Sequence, residues 1–93
     1  IVPHHTEGGQ VVLGGTSEAN LYVTYNYAPL FKFREMHGKR AGDTIDTLQE
    51  AVDRRGTKRD KNYWKATPGN VGYACSILLG WADLHPDATW VVE

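Results

Sequence analysis

The stretch Thr67–Glu93 decides the fold: T-P-G-N-V-G-Y-A-C-S-I-L-L-G-W-A-D-L-H-P-D-A-T-W-V-V-E. Thr67 is a good N-cap, because its hydroxyl can accept a hydrogen bond from an unpaired amide of the first turn. Pro68 suits the first helical position, where a missing N–H costs nothing. Val71, Ala74, Cys75, Leu78 and Ala82 then recur at helical spacing, and Tyr73, Ile77, Trp81 and Leu84 form an adjoining row. The combined apolar face is wider than a surface helix needs, so this helix is expected to be wrapped by the rest of the domain. His85-Pro86-Asp87 breaks it. Ala88–Val92 reads as a closing strand, with Trp90 and Val92 on one face and Thr89 and Val91 on the other.

Upstream, the polar segment Thr57–Lys65 (T-K-R-D-K-N-Y-W-K) is irregular and ends in Tyr63-Trp64, which are expected to pack under the start of the long helix as its hydrophobic lead-in. Gly42 to Arg55 reads as a second helix. Asp43 is its N-cap, Ile45, Leu48 and Val52 its apolar stripe, and Gly56 its stop. Asp46 near its start and Arg54-Arg55 near its end complement the helix dipole. Pro29 opens a shorter helix, L-F-K-F-R-E-M-H, with Leu30, Phe33 and Met36 on one face and Gly38 as the residue after its end. Asn20–Tyr27 is the clearest strand, because Leu21, Val23, Tyr25 and Tyr27 alternate with Tyr22, Thr24 and Asn26. Val11-Val12-Leu13, ended by Gly14-Gly15, pairs with it as an antiparallel hairpin with a long loop. Residues 1–10 hold Pro3 and Gly8-Gly9 and read as an extended or looping start.

These elements predict a single domain, residues 1–93, of the α+β class. A small antiparallel sheet, made of the N-terminal hairpin and the C-terminal strand, carries two to three helices on one face. An exposed N-terminal or C-terminal edge strand would allow a homodimer.

The composition suits a folded domain with a modest core. Ninety-three residues form one domain, and 41% hydrophobic and 11% aromatic content argue against disorder. A single cysteine excludes an internal disulfide framework and any cysteine-based zinc site, and it fits a reducing cytoplasm. No stretch approaches the ~20 apolar residues of a membrane span. No secretory signal is visible, and the start at Ile1 is compatible with a trimmed N-terminus.

The net charge of −1 is unevenly spread. All ten lysines and arginines lie between Lys32 and Lys65 with six acids, giving that segment +4, while the flanks carry −2 and −3. Within it, Arg54, Arg55, Lys58, Arg59, Lys61 and Lys65 are interleaved with Tyr63 and Trp64. Such a set can meet an acidic protein surface, or meet phosphates and stack on a base. The admixed acids and the absence of a known nucleic-acid motif weigh towards protein.

Catalytic signatures are missing. His37-Gly38-Lys39 is no phosphate loop, because no Ser or Thr follows the lysine and Phe33 stands where the first glycine belongs. Neither Ser17 nor Ser76 sits in a nucleophile elbow. Cys75, on the apolar side of the helix, reads as a buried inert thiol. His37 and His85 sit at helix ends and serve to cap carbonyls. Adjacent His4 and His5, with Glu7, make a poor chelate on an extended chain. No cofactor and no metal are expected.

Three stretches together resemble small uncharacterised single-domain proteins encoded by bacteriophages and prophages: V-T-Y-N-Y-A-P-L-F, H-G-K-R-A-G-D-T-I-D-T-L-Q-E-A-V, and N-Y-W-K-A-T-P-G-N onward to Val92-Glu93. The resemblance covers about Asn20 to Glu93. It rests on structural motifs and brings no catalytic residues. It implies a non-catalytic accessory binding protein of the host-cell cytoplasm that contacts a host or viral protein, for example as a defence or host-takeover inhibitor. The alternatives are a nucleic-acid-binding accessory protein using Arg54–Lys65, and a small ligand-sequestering protein or enzyme.

Overall fold

A computed structural model describes residues 8–13 and 20–92, with side chains placed at 21, 23 and 26–92. The strands are β1 (Gly8–Leu13), β2 (Asn20–Thr24) and β3 (Trp90–Val92), and the helices are α1 (Ile45–Arg55) and α2 (Pro68–Leu84). Three 3-10 turns, Tyr25–Tyr27, Phe33–Met36 and Ala41–Thr44, lie between β2 and α1.

Helix α2 follows its sequence signals. The Thr67 hydroxyl accepts from the Asn70 amide at 3.1 Å, and Pro68 stands at the first position. Val71, Ala74, Cys75, Leu78 and Ala82 are buried. Helix α1 packs against α2, and the residue that ends α1 comes close at Gly72, where any Cβ would run into the Gly56 carbonyl. Gly56 itself has φ +68 and ends α1, its N–H donating to the Val52 carbonyl at 2.8 Å. A positive φ there excludes most other residues.

The expected architecture, a small antiparallel sheet bearing the helices on one face, is corrected. The described chain is mostly helical, and a sheet forming a layer beneath the helices is not seen. Among the described residues strand pairing is limited to β2-β1-β3, both neighbours antiparallel, and β2 and β3 give Leu21, Val23, Trp90 and Val92 to the same core as the helices. The reason lies in α2. Its wide apolar face supplies Val71, Ala74, Cys75, Leu78 and Ala82 to the core, and α1 packs directly against it.

Other expectations change locally. Strand β2 ends at Thr24, not Tyr27. The Tyr27 carbonyl accepts from both Leu30 N (2.8 Å) and Phe31 N (2.9 Å), which closes a turn and drives the Tyr27 ring into the core. The helix expected after Pro29 is a 3-10 turn, Phe33–Met36. At three residues per turn, Phe33 and Met36 stack on one side, and both are buried. Asp43 does not cap α1. Its carboxylate meets Arg40 at 3.3 Å, and the 3-10 turn Ala41–Thr44 leads into the helix instead.

Strand β3 is closed on both sides. One side pairs with β1. On the other, Trp90 N donates to the Lys39 carbonyl and Gly38 N to the Trp90 carbonyl, both at 2.9 Å, while Val92 N donates to His37 Nδ1 at 3.1 Å. β1 lies between its two neighbours. Neither β1 nor β3 therefore offers the free edge expected for a dimer. His37 thus receives a strand amide, and among the described residues its ring caps no carbonyl. Trp90 is fully buried, and its Nε1–H donates to the Thr44 hydroxyl (2.8 Å), which in turn donates to the Ala41 carbonyl (2.8 Å).

Candidate functional site

The basic, aromatic segment 54–65 leaves the end of α1 and returns to the start of α2. The residue that shapes it is Asn70, in the first turn of α2 and fully buried. Its side-chain oxygen accepts from Asp60 N at 2.8 Å, and its amide nitrogen donates to the carbonyls of Asn62 (3.0 Å) and Lys65 (2.7 Å). Three points of an otherwise irregular loop are pinned to one helix. Asx turns add to this, with Asp60 accepting from Asn62 N (2.9 Å) and Asn62 from Trp64 N (3.1 Å). Gly69 lets the Lys58 backbone lie directly on α2, at a distance that leaves no room for a Cβ.

The structure separates the eight sequence-predicted residues into two groups. Arg54, Arg55 and Tyr63 have partners within the chain, Arg54 from an exposed position. Arg54 pairs with Glu50 at 3.2 Å along α1, and Arg55 donates to the Leu30 carbonyl. The Tyr63 carbonyl accepts from the Tyr27 hydroxyl. Lys58, Arg59, Lys61, Trp64 and Lys65 are exposed. Arg59 lies over the Tyr73 ring, 4.8 Å from its centroid, and 5.9 Å from that of Tyr63. Trp64, expected under the helix, is 47% exposed.

Aromatic rings connect this surface to the core. Trp64 meets Tyr63 edge-on (5.0 Å), Tyr63 meets Tyr27 (5.8 Å), and Tyr27 meets Phe33 (6.3 Å). Burial pushes the Tyr27 phenol up to about 12, and burial also raises Tyr63 above its ordinary range. Both phenols stay neutral at physiological pH. A shallow pocket of about 310 Å³ lies beside the loop, lined by Arg55, Lys58, Arg59, Asp60, Thr67 and Gly69.

A second cleft, about 330 Å³, opens where Pro29, Phe31 and Met36 face Lys32, Glu35 and Thr47. It has no nucleophile paired with a base. Cys75 is buried, and its thiol is pushed up to about 12 by that burial, which suppresses the reactive thiolate. Among the described residues no cluster of His, Cys, Asp or Glu is arranged to hold a metal ion. His4, His5 and Glu7 lie outside the described residues. No helix among the described residues is long and apolar enough to cross a membrane.

Asn70 was not singled out from the sequence. An Asn in a first helical turn is ordinary, and only its burial reveals three loop contacts. Comparison with family models, curated proteins and solved structures finds no match.

Proposed function

We propose that this chain is a non-catalytic binding module that docks an acidic protein surface through the 57–65 loop. The observation that carries the reading is Trp64, 47% exposed on a loop pinned by Asn70 and flanked by exposed Lys58, Arg59, Lys61 and Lys65. An ordered tryptophan ringed by cations is a suitable anchor, because its shape is set before binding and little side-chain entropy is then lost. The resemblance of Asn20–Glu93 to phage-encoded single domains supports a host or viral protein as partner, met in the host cytoplasm.

The test is affinity capture from bacterial lysate by the parent chain, by Trp64→Ala and by the charge-reversed Lys58→Glu/Arg59→Glu/Lys61→Glu. The expected result is a protein that survives nuclease treatment and is lost with either variant. Capture that disappears with nuclease or with a modest rise in salt would instead identify nucleic acid. The exposed Trp64 among lysines keeps that second reading open, since every base offers a face for stacking.

A further inference from the structure

Helix α2 spans seventeen residues and carries a single charged one, Asp83. Its core side is Val71, Ala74, Cys75, Leu78 and Ala82. On the opposite side helical periodicity aligns Tyr73, Ile77, Gly80 and Leu84, which are equally apolar. Tyr73 and Ile77 are half-buried, and Leu84 is 74% exposed. A Cβ placed at Gly80 meets nothing within 4 Å. A helix apolar on every side is normally covered on every side; among the described residues this one is not.

We infer that this face seats a second copy of the chain, with α2 against α2, antiparallel across a two-fold axis. The residue spacing is self-complementary. The midpoint between Tyr73 and Leu84 is also the midpoint between Ile77 and Gly80. An axis through that point sets Leu84 of each copy on Tyr73 of the other, and Ile77 of each over the open space at Gly80 of the other. A two-fold contact demands this reciprocity. The charges agree with the same register. Asp83 makes no ion pair among the described residues. The axis carries it to the level of the other copy's Ala74, one residue along the helix from Tyr73, and Arg59 lies over the Tyr73 ring. Each end of the contact thus matches one carboxylate with one guanidinium. The inference does not rest on the loop's role as a binding surface.

Sedimentation of the full chain over a concentration series tests it. The expected result is a reversible dimer. Gly80→Arg and Leu84→Glu, both at exposed positions, are each expected to be monomeric where the parent is dimeric, with an unchanged circular dichroism spectrum. Asp83→Arg and Arg59→Asp should each weaken association by about tenfold, and the combined swap should restore most of it. A parent that stays monomeric at every concentration overturns the inference, whatever else covers the face. So does a dimer indifferent to Gly80→Arg and Leu84→Glu, or a double swap no better than the single ones.

Discussion

Asn70 shows how much one side chain can organise. It satisfies three backbone groups of the 57–65 loop from inside the first turn of α2. Removing it leaves those part-buried groups without that partner. Asn70→Ala is therefore expected to cost about 2–3 kcal/mol in urea unfolding. The same variant should sharply increase proteolytic nicking between residues 57 and 65, and Asn70→Asp, which keeps the acceptor but sets a buried carboxylate oxygen against the Asn62 and Lys65 carbonyls, should cost at least as much as Asn70→Ala. Trp64→Ala is the contrasting case. Half of that side chain is already in water, so unfolding free energy should move by no more than about 1 kcal/mol while partner capture is lost. At Cys75 the thiol is expected to resist a maleimide at pH 8 in the folded chain and to react once urea unfolds it. The stripe spacing of α2 already placed that cysteine inside. No comparable signal marked Asn70, because its contacts are to a loop whose path the sequence leaves open.

Among the elements, caps and breakers were the most legible. Thr67-Pro68 opens α2, Gly56 closes α1, and His85-Pro86-Asp87 turns the chain as their local chemistry dictates. Local signals gave less where tertiary demands compete. The alternation of Asn20–Tyr27 is a good strand pattern, yet the burial of Tyr27 and its two-amide turn cut the strand at Thr24. Asp43 is a good cap by type, yet Arg40 holds it and Arg40 also reaches Asp87 at 2.6 Å. The balance between sheet and helices was misread for a similar reason. Period and propensity identify elements but do not say which one fills the middle. The α1–α2 contact can be probed at Gly72. Gly72→Ala forces a methyl group into the Gly56 carbonyl, and we expect a loss of roughly 2–3 kcal/mol with a lowered thermal midpoint, despite alanine's better helix propensity.

For the whole molecule, the groups raised by burial set its behaviour in alkali. Cys75 rises from 9.0 to about 12 and Tyr27 from 10.0 to about 12, and Tyr63 is raised as well. In each case the unfolded chain ionises first, so it binds fewer protons than the folded chain at high pH. The stability these groups hold is complete below pH 9 and drains away as pH rises towards 12. A urea midpoint followed against pH should stay level up to about pH 9 and then fall, and in Cys75→Ala the fall should begin nearer pH 10. The three tryptophans sit at three depths: Trp64 is 47% exposed on the loop, Trp81 is half-buried on α2, and Trp90 is fully buried. A collisional quencher such as acrylamide should therefore reach their fluorescence in that order. With two of the three replaced by phenylalanine, each remaining indole becomes a label-free optical reporter of its own region: the loop proposed for docking, the flank of α2, or the opening of the core.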